Sequence, residues 1–208
     1  MDTQLIHPEA PESYAYLAVI DLECTCDDNE IFGPHEIIET GGVIGMLSQE
    51  SFKVISELQI YVKPVINPTL TNFCTELTGI TQSTVDSAII LNDALPALES
   101  WLQTNNIAAW ASWGKFDANQ FARECELKSV ENPVARIQHL NVKQLFARKF
   151  GYHVGLERAL DLLGLTFAGA STAALMTRKI SLGWLALSRY YVKLYKRITT
   201  ITPVTKSA

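Results

Sequence analysis

The sequence contains no aspartate, glutamate or histidine after Asp161, although the chain continues to Ala208. All 22 acidic residues and 10 of the 17 basic residues lie in residues 1–161, which gives this part a net charge of −12, whereas residues 162–208 carry +7. The formal net charge of −5 is therefore the sum of two unlike segments. Such an asymmetry indicates either a tail that contacts nucleic acid or a membrane, or a segment of different origin.

Other classes of protein are excluded by composition. With 11 glycines, 8 prolines and 48% hydrophobic residues among 208, the chain is neither disordered nor fibrous, and its length predicts one domain with a tail. The four cysteines include no CxxC pair, which excludes a disulfide or zinc framework and predicts reduced thiols in a cytoplasmic protein. Residues 1–11 lack the apolar run of a signal peptide, and no stretch reaches the roughly 20 apolar residues of a membrane span.

The pattern of apolar residues predicts an α/β fold. Residues 16–21 are a short branched run that ends on an acid, which is typical of a buried central strand. Residues 37–46 and 52–62 alternate and are predicted to form a hairpin, and 107–112 and 139–140 are two shorter strands. Helices are predicted at 68–77, 81–85, 92–104, 117–127, 142–150 and 156–163. This order favours a five-stranded mixed sheet flanked by helices.

Three acids are candidates for chemistry. Asp21 and Glu23 stand at positions i and i+2 of the first strand, so both side chains point to the same side of the sheet. Two adjacent carboxylates are costly unless a cation lies between them, and hard oxygen ligands suit Mg²⁺ or Mn²⁺. Asp117 follows the fourth strand and can reach the same edge. The alternative for Asp21 and Glu23 is two solvated acids at a strand end. Asp117 is also predicted to be a helix N-cap, a role that is compatible with the first.

Four motifs together resemble the DEDD-type 3′-5′ exonucleases, in the branch of the histone-mRNA and small-RNA trimming enzymes and the KapD-like enzymes. They are residues 18–26 (AVIDLECTC), 36–42 (EIIETGG), 62–80 (VKPVINPTLTNFCTELTGI) and 111–120 (ASWGKFDANQ). The resemblance runs in order from about Tyr16 to Gly169. It implies an RNase H-like fold and the removal of nucleotides from the 3′ ends of single-stranded RNA or DNA. The sequence leaves open the choice of nucleic acid and the oligomeric state.

The resemblance also implies a set of site residues. In the family, four acids hold two Mg²⁺ or Mn²⁺ ions and a histidine acts as general base. Asp21 and Glu23 match the first motif, and Asp117 matches the second. The positions that hold the terminal nucleotide by apolar and stacking contacts correspond to Phe73, Leu77 and Phe116, although these three residues fit a role in the core as well.

The last motif of the family is missing from this chain. The family carries a histidine and, five positions later, an aspartate on the helix that follows a Leu-x-Phe-x-Gly segment, which is present here as residues 165–169. Thr172 occupies the expected histidine position and Thr177 the expected aspartate position. His35, His139 and His153 are expected to be loop or strand-end residues rather than ligands. The chain is therefore predicted to be an impaired exonuclease or a non-catalytic nucleic-acid-binding remnant.

The genetic code suggests one explanation for the missing motif. Suppose that each true codon consists of the third base of one residue's codon and the first two bases of the next. Met176 is always ATG and a threonine codon always begins AC, so the codon at the junction between Met176 and Thr177 is GAC, which encodes aspartate. The junction between Ser171 and Thr172 permits a histidine codon. We therefore interpret 1–15 as an extension, 16–169 as the exonuclease domain and 170–208 as a segment translated out of frame. The alternatives are a functional tail, whose bases alternate with tyrosines at 189–197, and a marginal helix that covers the sheet.

Overall fold

The computed structural model describes residues 15–28, 33–47 and 52–164. Its strands are β1 (Ala15–Cys24), β2 (Ile37–Leu47), β3 (Phe52–Lys63), β4 (Ile89–Ile90), β5 (Ala109–Ser112) and β6 (His139–Asn141). Its helices are α1 (Asn72–Thr78), α2 (Gln82–Asp86), α3 (Leu91–Thr104), α4 (Phe116–Leu127), α5 (Val142–Phe150) and α6 (Leu156–Leu162). The hairpin turn, residues 1–14 of the predicted extension, and the segment 170–208 with Thr172 and Thr177 lie outside the described residues. No helix within the described ranges is long and apolar enough to cross a membrane.

The strands form one mixed sheet in the order β4-β3-β2-β1-β5-β6. β1 is central: it pairs antiparallel with β2, from Ala15 opposite Leu47, and parallel with β5, from Leu17 opposite Ala109. Because β1 and β5 run in parallel, their carboxyl ends meet at the same edge of the sheet. That edge carries the end of β1 and the start of α4, so the fold brings the two acidic motifs together.

The predicted mixed α/β sheet is confirmed, with six strands rather than five. The sixth strand, β4, has only two residues, both exposed, so it is too short to produce an alternating pattern. The first predicted helix begins at Asn72 rather than at Pro68, because the Thr71 side chain caps it, and it ends at Gly79 in the left-handed conformation with φ of 72°. Helix α3 begins at Leu91, one residue before the predicted start at residue 92.

Two layers of helices cover the two faces of the sheet. Leu17 and Val19 of β1 point to the layer that contains Phe146 of α5 and Leu160 of α6. The intervening residues of β1, such as Ile20, point to the opposite layer, where α3 and α4 pack. Since side chains alternate along a strand, Asp21 and Glu23 lie on the α5 and α6 side.

A glycine in β2 allows one of these layers to approach the sheet closely. A Cβ atom at Gly42 would lie 2.7 Å from the ring of Trp101 in α3, and the Trp101 indole donates a hydrogen bond to Ser56 Oγ at 2.8 Å. The glycine at this strand position therefore leaves the space in which the Trp101 ring packs.

One partly buried lysine connects three parts of the fold. Lys128 Nζ, just past α4, lies 2.9 Å from Glu36 Oε1 and 2.8 Å from Glu124 Oε1, and both carboxylates are buried. Glu36 also accepts hydrogen bonds from the backbone N–H groups of residues 65–67, and Glu124 accepts one from the backbone N–H of Ile37. Burial opposes ionisation of Glu36, but these donors and Lys128 together lower its pKa below the ordinary value. The lysine thereby joins α4, the start of β2 and the segment after β3.

Replacement of Lys128 by methionine is expected to lower the free energy of unfolding by about 3 kcal/mol, because the change leaves two buried carboxylates without their cation. Chemical denaturation monitored by circular dichroism measures the loss. The control is Arg136→Met, which removes the base of an exposed ion pair with Glu131 and is expected to cost about 0–1 kcal/mol. Equal losses for the two variants would contradict the importance assigned to Lys128.

Candidate active site

Asp21 and Glu23 lie at the carboxyl end of β1, where both side chains reach the edge of the sheet. Each keeps part of its surface exposed, while Leu22 between them is buried in the opposite layer. The alternation of β1 therefore places both carboxylates on one face, as the sequence predicts.

Asp117 is brought to the same edge by the first turn of α4. Its side chain is 5% exposed, and its Oδ1 accepts a hydrogen bond from the backbone N–H of Leu22 at 3.2 Å. The hydroxyl group of Ser112, at the end of β5, also hydrogen-bonds to this carboxylate. The predicted N-cap role of Asp117 is wrong, because the capping position is occupied by Lys115. Asp117 instead bridges α4 and β1.

The electrostatics of the three acids reflect their proximity. Burial, followed by the negative charges of Asp117, Glu23 and Glu39, raises the pKa of Asp21 well above the usual range. Burial and the charges of Glu39 and Asp117 raise the pKa of Glu23 to about 8. Burial raises the pKa of Asp117 too, although hydrogen bonds from Ser112 and from backbone N–H groups oppose this shift. Ionisation of all three carboxylates in this chain is therefore unfavourable.

Glu39 is a member of this acidic cluster that the sequence analysis did not identify. It lies on β2 directly opposite Glu23 and is fully buried, and its Oε1 accepts a hydrogen bond from Gln59 Nε2 at 2.7 Å. Glu39 belongs to the EIIETGG motif, but its role depends on the register between β1 and β2. A strand register that is fixed by long-range pairing cannot be read from the motif alone.

The donor set of the cluster suits a hard divalent cation. In the described ranges, no lysine or arginine forms an ion pair with Asp21, Glu23 or Asp117. Across the same residues, no three His, Cys, Asp or Glu side chains are grouped in an arrangement ready to hold a metal ion. Carboxylate oxygens are nevertheless the ligands that Mg²⁺ and Mn²⁺ prefer, so the residues present fit such an ion in their chemistry.

A cavity of about 420 Å³ adjoins the acids. Lys115 and Lys143 lie on its wall together with Trp113 and Asn141, and Asp21 and Asp117 are part of the lining. The sequence analysis did not identify the two lysines, since their approach to the acids depends on the ends of β5 and β6 meeting at this edge. The cavity therefore combines carboxylates, basic groups and an aromatic ring.

Phe73, Leu77 and Phe116 are exposed, with 39%, 54% and 51% of their surfaces accessible. The alternative that they are core residues is therefore wrong. Phe73 and Leu77 are four residues apart on α1, which places them on one side of that helix, and Phe116 begins α4 next to Asp117. Large apolar side chains at such positions are available for contact with a ligand.

The three histidines within the described residues are outside the acidic cluster. His35 precedes β2, and its Nδ1 lies 2.6 Å from the carbonyl oxygen of Thr25. His139 is at the start of β6, where its Nε2 lies 3.0 Å from Ser112 Oγ. His153 follows α5. These placements agree with the expectation that the histidines are loop or strand-end residues.

Comparison with known proteins agrees with this geometry. The family model described as Exonuclease (RNase_T) matches residues 18–170, which include Asp21, Glu23 and Asp117. The chain belongs to the exonuclease family. Its match ends close to Gly169, where the motif-based resemblance also stops.

Among curated relatives, ERI1 exoribonuclease 2 of Xenopus laevis is 28% identical over 190 residues, covering 81% of this chain and 27% of that protein. The 3′-5′ exonuclease Snipper of Drosophila melanogaster is 29% identical, covering 77% of this chain and 64% of that protein. The chain thus spans between about a quarter and two thirds of the length of these exonuclease relatives. A solved structure of a 3′-exonuclease that recognises the histone mRNA stem-loop has a TM-score of 0.77 at 24% identity, covering 86% of this chain and 83% of that one. The fold is that of RNase H-like DEDDh exonucleases.

The raised pKa of Glu23 predicts a pH dependence of stability in the metal-free chain. Between about pH 4.5 and pH 8 the folded chain retains a proton on Glu23 that the unfolded chain releases. The contribution of Glu23 to the free energy of unfolding is therefore expected to fall as the pH rises through this window. Glu23→Gln should remove this contribution and make the chain more stable than the parent at pH 8, on the order of 2 kcal/mol.

Urea unfolding in EDTA at pH 5, 7 and 8 measures the effect. The control is Glu76→Gln, which changes an exposed acid on α1 and should keep the pH dependence of the parent. A Glu23→Gln variant that follows the pH profile of the parent would show that the Glu23 carboxyl group is not desolvated at this edge.

Proposed function

We propose that this chain is built for 3′-5′ exonucleolytic hydrolysis of single-stranded RNA or DNA. The observation that carries the proposal is the meeting of Asp21, Glu23 and Asp117 at one edge of the sheet. There the charges of Asp117 and Glu23 add to the effect of burial in raising the pKa of Asp21, and the charge of Asp117 does the same for Glu23. Acids that form no ion pair with a lysine or arginine can bind divalent ions. Such ions stabilise the charge that develops on a phosphodiester during hydrolysis.

The same three acids are the proposed ligands of Mg²⁺ or Mn²⁺. The family resemblance implies two ions, and the chain as written lacks the fourth acid of that ligand set. A bound ion would supply electrostatic stabilisation of the charge that develops at phosphorus. Ser112 and the backbone N–H of Leu22 orient the carboxylate of Asp117. Lys115 and Lys143, on the wall of the adjoining cavity, offer charge to the phosphates of the strand.

The terminal nucleotide is proposed to lie against Phe73, Leu77 and Phe116. Their exposure supports this role, since stacking and apolar contacts suit unpaired bases, and Phe116 lines the cavity that adjoins Asp21 and Asp117. The solved nuclease domain of a DEDDh enzyme bound to rAMP has a TM-score of 0.72 with this chain at 24% identity, covering 84% of this chain and 90% of that one. A 3′ end of a single strand is accordingly the proposed substrate.

Activity is proposed to be impaired in the chain as written. Thr172 and Thr177 stand where the family has its general-base histidine and its fourth acid, and a positioned base alone contributes about 10²- to 10⁴-fold to a rate. A frameshift near Gly169 remains our interpretation, and the end of the family match at residue 170 supports it. Sequencing of the gene tests it, since no reading frame should contain the histidine and aspartate motif if the interpretation is wrong.

The second candidate function is a non-catalytic nucleic-acid-binding module that uses the basic segment 170–208. The net charge of +7 after residue 161 favours it, because basic residues bind phosphates without regard to sequence.

For either function, the free cysteines support the proposal of a reducing, cytoplasmic location.

A degradation assay with Mn²⁺ and an end-labelled single strand distinguishes the two functions. The exonuclease is expected to give a ladder of shortened products, which Asp21→Ala reduces by at least about 10²-fold because a metal ligand is lost. Asp93→Ala, which removes an acid in the first turn of α3, is the control and should leave the ladder unchanged. Salt-sensitive binding without degradation, lost on deletion of residues 170–208, would support the binding module instead.

A second measurement tests the nucleotide-binding face. Phe116→Ala is expected to weaken the binding of a labelled single strand by roughly 5- to 150-fold, which corresponds to about 1–3 kcal/mol of stacking energy. Fluorescence anisotropy gives the dissociation constants, with gels to show that the strand stays intact. The matched control is Leu127→Ala at the opposite end of α4, where the side chain is equally exposed at 52%. Equal dissociation constants for the two variants would exclude Phe116 from the binding face.

A further inference from the structure

Two cysteines meet where α1 packs against the segment that follows β1. Cys74, on α1, is fully buried, and it forms a small apolar cluster with Ile38, Ile80 and Val85. Cys26, two residues beyond the end of β1, is partly exposed and packs against this cluster. The two residues are distant in sequence, but the fold places their side chains together.

The contacts between these cysteines involve both side chains and backbone. Their thiol groups are hydrogen-bonded to each other. The hydroxyl group of Thr71 donates a hydrogen bond to the carbonyl oxygen of Cys26 at 2.7 Å and accepts one from the backbone N–H of Cys74 at 2.9 Å. A single hydroxyl group therefore links the two backbones. The Cys74 thiol also donates a weak hydrogen bond to the carbonyl oxygen of Cys24 at 3.6 Å.

We propose that Cys26 and Cys74 are an oxidation site that forms a reversible disulfide bond. With hydrogen peroxide as the two-electron oxidant, the Cys26 thiol is first oxidised to a sulfenic acid and one water is released. The sulfur of Cys74 then attacks the sulfenic sulfur, the S–S bond forms, and the hydroxyl group leaves with the Cys74 proton as a second water.

Exposure determines which cysteine reacts first. Cys24, Cys74 and Cys125 are buried, whereas Cys26 is accessible to a small oxidant. Burial and the hydrogen bond to Cys74 raise the pKa of Cys26 to about 12, so little thiolate is present at neutral pH. Because the thiolate is the reactive form, oxidation is slow at neutral pH and accelerates as the pH rises. The pair therefore stays reduced except under sustained oxidation.

The disulfide bond connects two segments that both carry site residues. α1 contains Phe73 and Leu77, and Cys26 is three residues beyond Glu23. The bond closes a loop that includes β2 and β3, and such a loop restricts the unfolded chain. Oxidation therefore stabilises the fold and fastens α1 to the end of β1. This inference does not depend on the chain being an active nuclease.

Peptide mapping of the full chain tests the proposal. The protein is treated with hydrogen peroxide at pH 8.5, alkylated and digested without reducing agent, and the peptides are identified by mass spectrometry. A peptide pair that joins Cys26 to Cys74 is expected, together with a melting temperature at least about 2 °C above that of the reduced chain and reversal of both by dithiothreitol.

Variants identify the partners. Cys26→Ser changes a partly exposed residue and should abolish the crosslink, as should Cys74→Ala. Cys125→Ala, which removes a remote buried thiol on α4, and Cys24→Ala should both keep it. Oxidation of Cys26 to a sulfinic acid without a crosslink, or a crosslink that persists in Cys26→Ser, would overturn the proposal. Neither result would affect the nuclease proposal, which is tested through Asp21 and Phe116.

Discussion

The contact of Lys128 with Glu36 and Glu124 is the interaction on which the geometry of the acidic edge depends. Isolated buried carboxylates are costly. The lysine and backbone N–H groups compensate both of these carboxylates, so each buried charge has hydrogen-bond partners. It fixes the last turn of α4 to the start of β2. Since α4 begins at Phe116 and Asp117, the same helix transmits this fixed position to the site, where Asp117 accepts a hydrogen bond from β1.

The three acids at the end of β1 represent the opposite case. Their negative charges are close together, and within the described residues no basic side chain forms an ion pair with Asp21, Glu23 or Asp117. Burial, and then these neighbouring negative charges, raise the pKa values of Asp21 and Glu23. A fold tolerates unfavourable charge at a functional site when the surrounding structure holds it in place. The compensated charges around Lys128 and the uncompensated acids at the sheet edge are both attached to α4. The contacts of Lys128 therefore help to hold the acidic edge in place.

Much of this edge could be predicted from local sequence, and the part that could not depends on pairing between distant strands. The apolar run of β1, the alternation of β2 and β3, and the i, i+2 spacing of Asp21 and Glu23 are local patterns, which is why the sheet and the shared face of the two acids were predicted correctly. Glu39 enters the cluster only through the register of β2 on β1. Lys128 is separated by 92 residues from Glu36, and no periodicity in the sequence indicates that contact. The two-residue β4 was missed because so short a strand carries little signal in the sequence.

The acidic site bears on the change from negative to positive net charge along the chain. An acidic domain repels nucleic acid over long distances, so binding to a strand has to rely on local groups such as bound cations, Lys115, Lys143 and the exposed aromatic rings. A segment of net charge +7 that follows such a domain would relieve this repulsion, which is the argument for a functional tail. However, the family match ends at residue 170, and the motif that should complete the acidic edge is absent from that segment as written. A tail that evolved to aid binding has no reason to begin where the histidine and the last aspartate are lost. A change of reading frame accounts for both the loss of these residues and the absence of acids, and for this reason we favour it.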